Sequence, residues 1–159
     1  MRRPLLVLAL LATIAVARAQ TAFAVHWPSG KSQSGHASHL QKLARRVETY
    51  ARHQVGVGYS WGGTSPQTGF DCSGLVYAAY RSVGLKIPHS SWDQLRVGRP
   101  VRFARLRPGD LLFTAGGGHV QLVVSKSAAI SAPQTGERVR YVPLAQLRPE
   151  FAGARRVLR

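Results

Sequence analysis

The sequence contains a single cysteine, Cys72, which lies between a glycine-rich stretch and a segment with helical periodicity. Asp71 is a favourable helix N-cap, so we expect Cys72 to occupy the first position of a helix that ends near Gly84. A helix N-terminus carries partial positive charge and unpaired backbone N–H groups, which stabilise a thiolate and lower the pKa of its thiol. The same N–H groups can stabilise an oxyanion, so this position predicts a nucleophile that attacks a carbonyl carbon.

A cysteine nucleophile usually requires a base, and the sequence contains six histidines. His119 is the strongest candidate because it follows three glycines and begins the apolar run HVQLVV, which would hold its side chain at the mouth of a strand. His89, in the segment PHSSWDQ, could line a cleft. The other four histidines are interpreted as surface residues; they are His26, His36, His39 and His53.

The segments around these residues predict an α+β fold. HLQKLARRVETYARH has the spacing of an amphipathic helix, GYSWGGTSPQTGF has the composition of a loop, and the segment that begins at Asp71 forms the second helix. RPGDLLF, HVQLVV and RVRYVPL are short apolar or alternating runs separated by turns, which is typical of a mostly antiparallel sheet. We therefore expect helices packed on one sheet, with the nucleophile at a helix N-terminus. The last sixteen residues have no clear assignment.

The N-terminus predicts export. Residues 1–19 have a basic start, an apolar run and an Ala-Arg-Ala site, as in a signal peptide that is cleaved near Ala19. Residues 20–37 are polar and predict a flexible lead, and residues 38–159 form the expected catalytic domain. An oxidising compartment favours paired cysteines, so a lone exported thiol is either reactive or an intermolecular crosslinker. An inert buried cysteine is the remaining alternative.

The charge of the chain indicates anionic partners. It has 22 Lys and Arg residues against 6 Asp and Glu residues, a formal net charge of +16. With export, this favours contact with an anionic envelope surface over nucleic acid. The histidines and the cysteine lack zinc-ligand spacing, and no phosphate-binding loop is present, so we expect neither metal nor cofactor.

Five segments together resemble the NlpC (NlpC and p-sixty) superfamily of papain-like cell-wall cysteine peptidases. In order, they are YSWGGTSPQTGFDCSGLV, PHSSWDQ, LRPGDLLF, GGGHVQLVV and ISAPQTGERVR, and they cover roughly residues 40–145. The resemblance implies a papain-like core. It also implies hydrolysis of amide bonds in peptidoglycan stem peptides, typically the bond from D-glutamate to a diamino acid.

The resemblance also implies roles for individual residues. Cys72 corresponds to the nucleophile and His119 to the base. Tyr59 corresponds to a tyrosine whose hydroxyl lies near the nucleophile. The implied substrate-binding residues are Asp71, Ser73, Trp61, His89, Ser90 and Ser91. For Asp71 and Ser73, helix capping is a structural role that can coexist with substrate binding.

The sequence departs from the family at the third catalytic position, which is usually a histidine. Here it is Ser131, in AAISAPQTG. A third group orients the imidazole and stabilises the imidazolium, and a serine hydroxyl can accept the hydrogen bond but brings no charge. Gln121, two residues beyond His119, could point to the same face of the strand and is the alternative.

Three functions follow from these residues. The leading hypothesis is an exported, monomeric peptidase that acts on peptidoglycan stem peptides through a thioacyl intermediate at Cys72. The second is a catalytically weak or inactive binding module on the same scaffold, which Ser131 favours. The third is a papain-like hydrolase of another amide or ester.

Overall fold

The computed structural model describes residues 31–158 of the chain. The predicted signal peptide and the first part of the predicted flexible lead lie outside these residues. The remainder of that lead, residues 31–37, belongs to a helix, Lys31–His53, and the division between a lead and a catalytic domain stays a prediction. The helix extends further because this stretch contains no proline, and Ala37 and Leu40 line a groove against the rest of the domain.

Within residues 31–158, two long helices, α1 (Lys31–His53) and α2 (Cys72–Arg81), and a six-stranded sheet form the domain, and two short α-helices and two short strands lie between them. The short helices are α3 (Ser91–Gln94) and α4 (Leu144–Leu147). The strands are β1 (Thr64–Ser65), β2 (Gly69–Phe70), β3 (Arg99–Pro100), β4 (Leu111–Thr114), β5 (His119–Val123), β6 (Ala128–Ser131), β7 (Arg140–Pro143) and β8 (Gly153–Arg156). No helix among the described residues is long and apolar enough to cross a membrane.

The main sheet has the order β3-β8-β4-β5-β6-β7, and its neighbouring strands are antiparallel. The three predicted strands correspond to β4, β5 and β7. The C-terminal segment without an assignment forms α4 and β8, and β8 lies between β3 and β4. The end of the chain therefore belongs to the sheet that carries His119.

The sheet has an apolar layer on each face, which explains its uninterrupted hydrophobic runs. On one face, buried residues of α2 pack against buried residues of β4, β5 and β6; they include Leu75, Val76, Ala79, Tyr80, Phe113, Val120, Leu122 and Ile130. On the other face, Leu112, Val123, Ala129 and Leu144 form a smaller cluster. This packing presses the N-terminal half of α2 against the beginning of β5.

A buried ion pair connects β8 to the loop before β4. The Asp110 carboxylate, which is 1% exposed, accepts hydrogen bonds from Nε and Nη2 of Arg156, each at 2.7 Å. It also accepts the backbone N–H of Arg107 at 2.8 Å. The carboxylate thus supplies the charge that balances a guanidinium which is itself only 12% exposed.

Asp110→Asn is expected to lower the free energy of unfolding by about 3 kcal/mol, because it leaves the Arg156 guanidinium unbalanced in a low-dielectric environment. Urea unfolding followed by circular dichroism measures the loss. The control is Asp93→Asn, which removes an exposed pair with Arg96 and should change stability by about 0.5 kcal/mol or less. Equal losses in the two variants would contradict a structural role for the buried pair.

Candidate active site

Cys72 begins α2, as its sequence context predicts. Asp71 is the N-cap, with extended backbone, and its Oδ1 accepts the backbone N–H of Gly74 at 2.6 Å. The backbone groups of Ser73 and Val120 lie close enough to the half-buried Cys72 sulfur to lower the pKa of its thiol. Because Val120 follows His119 directly, this contact brings the start of β5 to the thiol.

The Asp71 carboxylate also joins three segments that are separate in the sequence. Its Oδ2 accepts the backbone N–H of Gly62 at 2.8 Å, which anchors the glycine-rich loop. Its Oδ1 accepts the Ser73 hydroxyl at 3.1 Å and lies 3.4 Å from Nε2 of His89. Asp71 therefore holds the helix start, the loop and His89 together, and its predicted contact with substrate remains a prediction.

His119 and Ser131 are hydrogen-bonded across neighbouring strands. Nε2 of His119 lies 2.9 Å from the Ser131 hydroxyl, which leaves Nδ1 as the ring nitrogen available to a second partner. Ser131 is 2% exposed, so the hydroxyl is shielded from water. Gln121, the alternative orienting residue, instead donates to the hydroxyl of Thr114 at 3.0 Å. The structure thus brings Ser131 and not Gln121 to the imidazole.

Burial controls the protonation of this pair. It raises the pKa of the Cys72 thiol, and the Asp71 charge adds to that effect, while the N–H groups of Val120 and Ser73 oppose it. Burial also lowers the pKa of His119, against the opposing charge of Glu150. The predicted lowering of the thiol pKa is therefore wrong: near neutral pH both the Cys72 thiol and the His119 imidazole are neutral.

A cleft of about 520 Å³ opens over the nucleophile. It brings together Tyr59 and Cys72 with the predicted substrate-binding residues Trp61, Asp71, Ser73, His89, Ser90 and Ser91. His119 and Ser131 do not line it. Burial and the nearby Cys72 and Asp71 raise the pKa of Tyr59, so its hydroxyl stays protonated and can donate a hydrogen bond.

Sequence reasoning missed Trp92 and Gln94. The Trp92 ring is 54% exposed, lines the cleft and packs over Gly117 and Gly118, directly before His119. Gly117 has φ +109°, and a Cβ there would lie 3.0 Å from the Trp92 ring, so only glycine fits. The fully buried Gln94 donates to the carbonyls of Ser73 at 3.0 Å and Pro88 at 2.8 Å. Both residues lie in PHSSWDQ, so the match of this segment to the family was the sequence signal that could have identified them.

The raised thiol pKa predicts slow alkylation of Cys72 at neutral pH. Iodoacetamide should label the protein several-fold more slowly than free cysteine at pH 7, because only the thiolate reacts and burial reduces its population. The labelling rate should increase as the pH approaches the pKa of the Cys72 thiol, which lies above the pKa of ordinary thiols. Intact-protein mass spectrometry reports this one site without ambiguity, since Cys72 is the only cysteine. Labelling faster than free cysteine at pH 7 would instead indicate a preformed thiolate.

Comparison with known proteins identifies the family. The NlpC/P60 family model matches residues 56–155, and the chain belongs to the NlpC/P60 family. The resemblance inferred from the sequence motifs is thereby confirmed. The described residues contain no cluster of three or more His, Cys, Asp or Glu side chains that could hold a metal ion.

Individual relatives cover the chain to different extents. The murein DD-endopeptidase MepH of Escherichia coli is 37% identical over 140 residues, which cover 82% of this chain and 52% of MepH. The peptidoglycan endopeptidase RipA of Mycobacterium tuberculosis is 36% identical over 105 residues, 57% of this chain and 22% of RipA. The chain thus spans about half or less of the length of these two relatives.

Solved structures confirm the α+β fold class. The peptidoglycan hydrolase RipB from Mycobacterium tuberculosis superposes with a TM-score of 0.69 at 32% identity, covering 79% of this chain and 72% of RipB. An NlpC/P60 family protein from Bacillus cereus superposes with a TM-score of 0.68 at 36% identity, covering 73% of this chain and 40% of the other.

Proposed function

We propose that this protein is an exported cysteine peptidase that hydrolyses amide bonds in peptidoglycan stem peptides. The observation that carries the proposal is the position of Cys72 at the N-terminus of α2 in an open cleft, with His119, hydrogen-bonded to Ser131, at the start of β5, the strand that packs against α2. The matched relatives named as peptidoglycan or murein endopeptidases support the substrate class. The exported location, after cleavage near Ala19, rests on the N-terminal sequence.

The first half-reaction forms a thioester on Cys72. The sulfur attacks the scissile carbonyl carbon while its proton passes to Nδ1 of His119, so the neutral resting pair becomes charged only as the new bond forms. The backbone N–H of Cys72 donates to no acceptor among residues 31–158 and is available to the developing oxyanion. The imidazolium then protonates the leaving amine as the C–N bond breaks.

The second half-reaction releases the acid product. His119 takes a proton from water, whose oxygen attacks the thioester carbonyl, and the sulfur leaves and regains a proton from the imidazolium. The Ser131 hydroxyl accepts a hydrogen bond from Nε2–H of His119 throughout, which fixes the tautomer whose Nδ1 is basic. Ser131 is a positioning residue in this scheme because it acts through the imidazole.

Solved variants of RipA support the position of Ser131. These variants of RipA carry changes at one cysteine, one histidine and one glutamate. The histidine and the glutamate are 12 positions apart in RipA, as His119 and Ser131 are here. A neutral hydroxyl therefore occupies the position that corresponds by spacing to a carboxylate.

Two candidate bonds follow from different observations. The family resemblance favours the bond from D-glutamate to a diamino acid. The name of MepH, a DD-endopeptidase, favours a bond between two D-configured centres. The cleft is compatible with the latter, since no lysine or arginine lines it in the described part of this strongly basic chain. A glutamate carboxylate beside the scissile bond would find no cation there.

The test is digestion of isolated peptidoglycan and soluble muropeptides by the protein from Gln20 onward, with products identified by mass spectrometry. New fragments would establish the hydrolase, and their masses would distinguish the two bonds. If the protein binds the polymer but produces no new fragments, the alternative of a non-catalytic binding module would be favoured. Cleavage of only non-wall amides or esters would favour the other papain-like hydrolase.

Ser131→Ala should lower turnover about tenfold, because it removes one buried hydrogen bond from the imidazole, and should leave KM nearly unchanged. Steady-state kinetics on a soluble muropeptide measure both constants. Ser131→His, which restores the usual residue type, should raise turnover. Ser127→Ala, an exposed change before the same strand, is the control. Full activity in Ser131→Ala would contradict the positioning role.

A further inference from the structure

A run of arginines lies along the outer edge of the sheet, away from the catalytic cleft. The segment 96–107 carries five arginines and no acidic residue. All five are exposed; they are Arg96, Arg99, Arg102, Arg105 and Arg107. Of these five, only Arg96 has a carboxylate of the described residues 31–158 at ion-pair distance, the Asp93 carboxylate at 3.6 Å. This edge therefore presents uncompensated positive charge.

Strand pairing places two of the arginines of this edge directly opposite each other. Arg99 in β3 is the partner of Arg156 in β8. Like charges in opposite positions destabilise a sheet unless something balances them. Asp110 balances Arg156 through two hydrogen bonds, but no carboxylate in the described chain balances Arg99. An anionic ligand at this position would remove the repulsion.

Arg99 and Arg107 both line a groove of about 240 Å³ between α1 and this edge. Small or uncharged residues of α1, such as Ala37, Gln41 and Ala44, form the facing wall, so an anion could approach the guanidinium groups closely. Among the described residues that line the groove, the one carboxylate, Asp110, is occupied by Arg156 and by the N–H of Arg107. The net charge of the groove is thus positive.

The residue type indicates which anion fits. The chain contains eighteen arginines and only four lysines, and the segment 96–107 contains no lysine. The planar guanidinium matches the paired oxygens of phosphate with two parallel hydrogen bonds, which an ammonium group cannot do. We propose that the groove between α1 and β3 is a phosphate-binding site, in which Arg99 and Arg107 hold the phosphate group.

Inorganic phosphate, titrated into the labelled protein at roughly 0.15 M chloride to screen non-specific attraction, is the first probe. Amide NMR signals of Ala44 and Gly109, which line the groove, should shift in a saturable way. In the double variant R99Q/R107Q, the affinity should fall about tenfold or more, because two charge-assisted contacts are removed. The phosphate affinity of the variant R99K/R107K should lie between those of the unchanged protein and R99Q/R107Q. This variant keeps the positive charges but loses the two parallel hydrogen bonds that each guanidinium can donate.

The control variant K86Q/K126Q removes the same charge from two exposed lysines outside the groove and should bind phosphate as the unchanged protein does. An equal loss of affinity in this control, or shifts that are scattered over the surface, would overturn the proposal. The amide spectra of the variants establish that each is folded. Peptidoglycan hydrolysis does not enter the readout, so failure of the proposed catalysis would leave this result intact.

Vesicles identify the source of the phosphate. Sedimentation with vesicles of phosphatidylglycerol and phosphatidylcholine tests a lipid headgroup, and vesicles of phosphatidylcholine alone are the reference. Co-sedimentation that depends on Arg99 and Arg107 would assign the site to a membrane phosphate. Phosphate binding without vesicle binding would assign it to a soluble or polymer-borne phosphate. Absence of saturable binding to inorganic phosphate and to vesicles would refute the site.

Discussion

Cys72→Ala should reduce hydrolysis of peptidoglycan fragments by at least about 10⁴-fold, because the thioester can no longer form. The loss should be in turnover, since the cleft that binds the substrate is lined by ten other residues that the substitution leaves in place. Steady-state assay of a soluble muropeptide, with products quantified by mass spectrometry, measures the effect. The substitution is structurally mild because Cys72 is only half-buried and its cap, Asp71, remains.

The matched controls for this variant are two hydroxyl-bearing residues of the same cleft, Ser90 and Ser91. Ser90→Ala and Ser91→Ala remove hydroxyls near the sulfur without touching it, and each should retain turnover within about tenfold. Urea unfolding of Cys72→Ala should show a midpoint close to that of the unchanged protein. Activity above about one percent in Cys72→Ala would require a different nucleophile and would refute the proposed mechanism.

His119→Ala is expected to lower turnover about 10³-fold, within the range for loss of a general acid and base. The pH profile supplies a second readout. Burial lowers the pKa of His119, so the base remains unprotonated to lower pH than an ordinary histidine. The acid limb of kcat/KM should therefore lie below the range of exposed histidines, and this limb should disappear in His119→Ala.

His53→Ala controls for the loss of a histidine, because His53 is exposed at the end of α1 and lies outside the cleft. It should leave both turnover and the acid limb unchanged. Retention of the acid limb in His119→Ala would assign it to another group, with His89 beside Asp71 as the first candidate. An acid limb above the ordinary histidine range would contradict the direction of the His119 pKa.

Local features of the fold were predictable from the sequence. The α2 helix, its Asp71 cap and the strands β4, β5 and β7 depend on periodicity and capping over a few neighbouring residues. β8 was not predictable, because GARR carries no strong alternation and is extended only through its pairing with β3 and β4. The same limit applies to residues 31–37, whose polar composition gives no apolar stripe although they belong to α1.

The sequence by itself determined the family, because short motifs around Cys72 and His119 are typical of it, and the same motifs indicate the types of the proposed reacting groups. Only the tertiary structure decided which side chain orients the imidazole. The hydrogen bond from His119 to Ser131 crosses from β5 to β6, and Gln121 is directed to Thr114 instead. Such choices depend on cross-strand geometry, which sequence spacing does not specify.

The protonation of the site and the arginine groove were likewise decided by tertiary structure. A helix N-terminus is visible in the sequence and favours a thiolate, but the burial that raises the pKa of Cys72 comes from segments distant in the chain. A basic composition is also visible, but strand pairing is what places Arg99 opposite Arg156. The physical reason is common to both: solvation and charge balance depend on which distant groups folding brings together.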